Sequence, residues 1–182
     1  MGEEENPLHF VCTYDEAEEL INQNSIFWVS NCGCRESRGN CQQSRKDVCL
    51  DFNGRFGGSG SNYHQVDKQF ALELLQEVRD KKLVTRPFRD FATKTETEGI
   101  CFCCKDCCGY FLNREEICDK GIYIEETDYD CCSDCGLCVD VCYFGARQIN
   151  DEGNLVVNRE ECYGCGLCYE ICPVECIEMI KR

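Results

Sequence analysis

The chain has 182 residues, 34 acidic against 19 basic, a formal net charge of -15, and 21 cysteines against two histidines, His9 and His64. Few clustered Lys and Arg argue against phosphate-based nucleic-acid binding, and no run approaches the roughly 18 apolar residues of a membrane span. The opening MGEEENPLHF has three glutamates and no apolar signal-peptide core, and the cysteine count is odd, so a disulfide scaffold is disfavoured and metal-bound thiolates in a reducing cytoplasm are the expectation.

Along the chain, Cys12 in HFVCTY reads as a buried small apolar residue. Thr13 and Glu16 form a capping box that opens a helix over 13–23, with Ala17, Leu20 and Ile21 on its apolar face. SIFWVS (25–30) predicts a buried strand. It leads into NCGCRESRGNCQQSRKDVCLDF (31–52), where Cys32, Cys34, Cys41 and Cys49 are spaced C-x-C-x6-C-x7-C. RFGGSGSNY (55–63) is a loop by composition, and it lacks the Lys-Ser/Thr ending of a nucleotide-binding loop. Residues 66–83 predict an amphipathic helix through Val66, Phe70, Leu74, Leu75 and Val78. Leu83 to Phe91 lead into ICFCCKDCCGYF (100–111), which holds Cys101, Cys103, Cys104, Cys107 and Cys108. NREEICDKG (113–121) reads as a capped helical turn that contains Cys118 and ends at Gly121. The acids of REE at 114–116 and again at 159–161 read as helix-start charges.

Residues 132–142, CSDCGLCVDVC, and 162–173, CYGCGLCYEICP, repeat C-x2-C-x2-C-x3-C, and proline follows the second. In iron–sulfur proteins with this spacing, three cysteines on one loop serve one cluster and the fourth serves the other. Gly136 and Gly166 supply unusual backbone angles where the chain wraps a cluster. IYIEE (122–126), ARQI (146–149), NLVV (154–157) and ECIEMI (175–180) are short strand-like runs.

The repeat resembles the bacterial-type two-cluster 4Fe–4S ferredoxins, and the resemblance covers about residues 121–182. It implies two pseudo-symmetric halves, each a short helix with a hairpin. It also implies one [4Fe–4S] cluster on Cys132, Cys135, Cys138 and Cys172 and another on Cys162, Cys165, Cys168 and Cys142. Tyr143 stands where the first proline usually follows, which alters the turn without removing a ligand. Cys176 reads as core packing, the role of Cys131 stays open, and Tyr163 and Tyr169 read as water-excluding aromatics. The N-terminal CGCR, GNC, DVCL and CFCCKDCC resemble a cysteine-rich region placed before such domains in anaerobic bacteria and archaea, which implies cluster binding there as well.

The expected fold class is α+β: a helical, cysteine-rich cluster-binding domain over 1–120 and a two-cluster ferredoxin-like domain over 121–182. Eight cysteines serve the C-terminal clusters, and Cys12, Cys131 and Cys176 are set aside as non-ligands. Ten remain: Cys32, Cys34, Cys41 and Cys49 as one group, and Cys101, Cys103, Cys104, Cys107, Cys108 and Cys118 as the other. Cys101, Cys104 and Cys107 are spaced C-x2-C-x2-C, with Cys118 as a candidate fourth ligand. Alternatively Cys103 or Cys108 reaches back to the site at Cys32–Cys49, so that one ribbon serves two centres. Two further [4Fe–4S] clusters, one further cluster, a zinc site or an unusual larger cluster all stay open. The expected function is electron transfer, as a carrier or as an electron-wiring subunit of an anaerobic oxidoreductase system. The acidic surface would dock on a redox protein with a basic patch. The alternatives are a redox enzyme or sensor with an open N-terminal cluster, and clusters that only staple a loop-rich module. No general acid–base constellation stands beside the cysteines.

Overall fold

The computed structural model describes residues 6–39, 41–54, 60–113 and 116–182, and the architecture below is that of these residues. A short strand β1 (His9–Phe10) leads to helix α1 (Tyr14–Gln23). Thr13 and Glu16 cap α1 reciprocally, and Tyr14, Ala17 and Ile21 are its buried face. Strand β2 (Phe27–Ser30), helix α2 (Gly33–Arg38), strand β3 (Cys49–Asp51) and strand β4 (His64–Val66) follow. Helix α3 (Lys68–Asp80) starts at Asp67, whose carboxylate accepts the Phe70 N–H at 2.8 Å. Ala71, Leu74, Leu75 and Val78 turn inward. The Tyr14 hydroxyl donates to the Leu83 carbonyl at 2.8 Å, which ties α1 to the segment after α3.

The chain then forms β5 (Val84–Arg89), β6 (Thr97–Cys103), the short helix α4 (Gly109–Asn113) and β7 (Cys118–Asp119). Seven strands make one sheet in the order β4-β2-β3-β6-β5-β1-β7, antiparallel except for the β1–β7 pair. The N-terminal region is therefore a seven-stranded sheet accompanied by α1 to α4, not the helical domain expected. The reason lies in β5 and β6. Their residues do not alternate in polarity, because β5 buries Thr85 and Arg86 beside Val84 and Phe88, so the period-2 signal is missing. The helical turn expected over 113–121 is also replaced. Arg114 and Glu115 lie outside the described residues, and Cys118 and Asp119 pair with His9 and Phe10 instead. A long-range edge pairing overrides the local helical preference there. Of the loop read at 55–63, residues 55–59 lie outside the described residues; Tyr63 stacks on Trp28 at 4.8 Å.

In the C-terminal region, β8 (Tyr123–Thr127), α5 (Leu137–Asp140), β9 (Arg147–Ile149), β10 (Leu155–Val157), α6 (Leu167–Ile171) and β11 (Ile177–Lys181) follow in order. β8 pairs with β11 and β9 with β10, both antiparallel. Asn158 caps the single turn at 159–161 by accepting the Glu160 N–H. The two regions share a core: Val141, Phe144 and Leu167 are buried with Val11, Ile21 and Phe102. The Gly121 N–H donates to the Tyr163 carbonyl at 2.9 Å across the junction. No helix among the described residues is long and apolar enough to cross a membrane.

The centre of the large sheet leaves no space at Gly99, where a Cβ would lie 2.2 Å from the Leu50 carbonyl oxygen and 2.4 Å from Phe88 Cζ. Gly99→Ala is expected to cost about 1–3 kcal/mol by overpacking. Alanine at Gly153, where nothing lies within 4 Å, costs only the strain of its positive φ. Chemical denaturation of the two variants measures the difference.

Candidate metal centres

Three cysteines on each C-terminal loop gather about one cavity, with Cys135 of the first loop exposed, where the chain turns sharply at the glycine before each short helix. Gly136 caps α5 at φ 76° and Gly166 caps α6 at φ 77°, both left-handed. The helices then carry the fourth cysteine of each motif away from its own loop. As a result Cys132, Cys135 and Cys138 line one cavity with Cys172, closed by Leu155, Pro173 and Ile177. Cys162, Cys165 and Cys168 line a second with Cys142, closed by Phe144, Tyr163 and Leu167. Gly164 keeps the second loop tight against β8; a Cβ there would lie 2.1 Å from the Tyr123 carbonyl oxygen.

The donor chemistry of both cavities fits a cluster. Each offers the four motif thiols in a mostly apolar shell, and Cys176 adds a fifth sulfur to the lining of the first. Burial pushes the Cys168 thiol up to about 12, with nearby Arg147 opposing it, and pushes Cys165 further. Such thiols ionise readily only against a bound cation. Arg147, 2 % exposed, lies between the cavities: its Nη1 donates to Cys138 Sγ at 3.4 Å, and its guanidinium lines the second cavity. Glu125, equally buried, pairs with it at 2.5 Å. Cys131 is exposed, while Cys176 is buried with its sulfur 3.5 Å from that of Cys172. Cys12 is buried in the core.

The N-terminal thiols regroup relative to their sequence order. Cys41, Cys104 and Cys107 form one triad, with sulfur–sulfur separations of 3.6, 3.3 and 3.3 Å. Arg35 Nε donates to Cys41 Sγ at 3.3 Å, and its Nη2 reaches Cys104 Sγ at 3.7 Å and the Phe102 carbonyl at 3.0 Å. A second group forms around Arg86, whose Nη1 lies 3.9 Å from Cys103 Sγ and 3.7 Å from Cys108 Sγ. Hydrogen bonds from Cys108 and Cys32 to Cys34 extend this group and draw the Cys34 thiol down to about 2. A hydrogen bond from Cys108 likewise holds Cys103 near 6, against its burial and with help from Arg86. Cys49 pairs with Cys101, which sits 3.8 Å from His9 Nε2. Cys118 lies on the Arg86 side, where burial pushes it up to about 11.

Cys32, Cys34, Cys41 and Cys49 are thus split among three groups. Cys101 does not join Cys104 and Cys107, because Cys101 and Cys103 belong to β6, where residues two apart share a face. Only after the strand ends do Cys104 and Cys107 turn toward Cys41. A cavity of about 310 Å³ lies among these groups, lined by seven cysteines together with His9, Arg35, Arg86, Tyr110 and Glu116. The arginines escaped the sequence reading. Arg35 in CGCR had a signal, its place beside two cysteines; Arg86 had none, since its pairing opposite Cys101 is a register fact.

Residues 131–176 match the 4Fe-4S dicluster domain family, which covers both repeated motifs and leaves the N-terminal cysteines outside. No curated protein matches the chain. The C-terminal region is therefore a ferredoxin-type iron–sulfur domain.

Cys41→Ser/Cys107→Ser is expected to lower the metal bound per chain and leave the C-terminal share in place, whereas Cys12→Ala leaves metal content unchanged. Elemental analysis of protein purified without oxygen measures both, and an unchanged content in the double variant would show that the triad holds no metal.

Proposed function

We propose that the protein is a multi-cluster iron–sulfur electron-transfer protein. Residues 121–182 would hold two [4Fe–4S] clusters, on Cys132, Cys135, Cys138 and Cys172 and on Cys142, Cys162, Cys165 and Cys168. The observation that supports this is that the eight motif thiols line two cavities, each taking its fourth cysteine from the other motif, with Cys176 also at the edge of the first. When bound, the clusters supply one-electron redox chemistry. The protein's part is to hold the sulfurs, exclude water with aliphatic and aromatic side chains, and place the buried Arg147 charge between the sites.

The first cavity is the outward one, since Cys135 is exposed. Beside it Glu126, Asp128, Glu175 and Glu178 line a surface depression together with Cys131 and Cys176. Acids at the rim of a redox site fit docking by a redox protein with a basic patch. Such docking weakens with salt.

The N-terminal thiols would hold one or two further clusters, at the Cys41, Cys104 and Cys107 triad and at the group around Cys34, Cys103 and Cys108. The buried Arg35 and Arg86 support anionic, thiolate-ligated centres there. A second reading, a redox enzyme or sensor with an open N-terminal centre, is favoured by the cavity of about 310 Å³ among these thiols, a size at the lower end of small-ligand sites. Small ligands that perturb the paramagnetic resonance of that centre would select it.

Iron analysis of anaerobically purified protein decides the cluster count: about eight irons corresponds to the C-terminal pair alone and about sixteen to two further [4Fe–4S] clusters. Transfer to a basic redox protein is expected to slow as ionic strength rises, and a salt-indifferent rate would sink the acidic docking site.

A further inference from the structure

We propose that the centre on Cys142, Cys162, Cys165 and Cys168 exchanges electrons with the N-terminal thiol centre of the same chain, across a wall made by Tyr110, Phe144 and Tyr163. This rests on the reading that both sites hold iron–sulfur clusters, and it names the chain's own N-terminal region as a redox partner of the dicluster domain.

The wall is about two rings thick. Tyr110 lines the N-terminal cavity, while Phe144 and Tyr163 line the second C-terminal cavity. The Tyr110 and Phe144 rings meet edge-on at 6.4 Å, Phe144 stacks on Tyr163 at 4.3 Å, and Tyr110 is hydrogen-bonded to Tyr163. On the N-terminal side, the Arg86 guanidinium sits 4.0 Å over the Tyr110 ring while reaching toward Cys103 and Cys108. Phe144 and Tyr110 belong to one buried core. Tunnelling falls steeply with distance, so two centres in these cavities are placed for direct exchange.

A second contact crosses the same seam. Tyr143 lies within electrostatic reach of Cys104 on one side and Cys165 on the other. Its ring also meets Phe111 edge-on at 5.7 Å and carries Lys105 Nζ 5.6 Å above it. The tyrosine after Cys142, a position where a proline would offer no aromatic ring, therefore fills the seam between the two regions. The first C-terminal cavity, by contrast, opens toward solvent at Cys135. The geometry orders the sites: outward cavity, inward cavity, aromatic wall, N-terminal thiols.

The step is a single electron. The centre on Cys142, Cys162, Cys165 and Cys168 is oxidised by one electron, and the N-terminal centre is reduced by one. No bond forms or breaks, no proton moves, and the rings are not themselves oxidised. An external low-potential one-electron reductant supplies the electron at the outward cavity; dithionite serves in the test.

The test is a stepwise dithionite titration of the full chain, followed by electron paramagnetic resonance with iron analysis of the same sample. The expected result is spin–spin broadening of the inward-cavity signal that appears as the N-terminal centre becomes paramagnetic. The broadening is lost in Cys103→Ser/Cys108→Ser, whose C-terminal irons remain. Iron above about eight per chain with sharp, non-interacting signals at every stage overturns the wiring and leaves the multi-cluster reading standing. Only about eight irons, or zinc at the N-terminal thiols, overturns the wiring together with the N-terminal clusters on which it rests. The wild-type titration decides alone if the double variant fails to fold.

Discussion

Three arginines buried against sulfur set the terms for the rest of the molecule. Arg35, Arg86 and Arg147 are each at most 2 % exposed, and burying a guanidinium costs several kcal/mol unless its charge and donors are met. Carboxylates meet only part of the need: Glu116 pairs with Arg86 and Glu125 with Arg147. The Phe102 carbonyl and the Thr127 hydroxyl take two donors, further donors point at Cys41, Cys104, Cys103, Cys108 and Cys138, and Arg35 Nη1 and Arg86 Nε are buried without a hydrogen-bond partner. Neutral thiols are weak acceptors, so these contacts strengthen when the sulfurs are thiolates. Thiolates this buried need a cation of their own. With the proposed metal bound, metal, sulfur and arginine would form one electrostatic unit at each site, held in place by the surrounding sheet and helices.

That unit also explains why the sheet carries charged and sulfur-bearing residues in its centre. Arg86 lies opposite Cys101 in the β5–β6 ladder, and Val84 lies opposite Cys103. The strands thus serve as a frame for thiols, with α1 and α3 covering the sheet residues that are ordinary core. Metal ligation there, as proposed, would add folding free energy to a module whose cysteine-rich segments have few aliphatic side chains.

The aromatic seam gives the two regions a common interior. Tyr110, Phe111, Tyr143, Phe144 and Tyr163 contact one another in stacked and edge-on pairs, a geometry worth more than area burial alone. The same rings exclude water from both sides. Water exclusion and short separation are what electron exchange between neighbouring centres asks of a protein, so structural packing and the proposed wiring draw on the same residues.

The C-terminal motifs were legible because their geometry is local. Cys132 to Cys138 and Cys162 to Cys168 lie on single loops whose spacing and glycines favour their grouping, and the strands at 123–127, 147–149, 155–157 and 177–181 fell on the strand-like runs. The capping box at Thr13 and the apolar stripe of α3 through Leu74, Leu75 and Val78 were legible for the same reason, whereas Val66, expected on that helix, ends β4. The N-terminal region was not. Its cysteines sit on strands, a turn and an edge, so their grouping depends on register: Cys41 meets Cys104 and Cys107 from 63 and 66 residues away, and Cys118 arrives by pairing beside His9. The sequence by itself determined that this chain is thiol-rich, acidic and built around a repeated cluster motif. Only the tertiary structure decided which N-terminal thiols share a site, which arginines face them and which rings join the two regions, because those contacts are made across the sheet and no spacing along the chain encodes them.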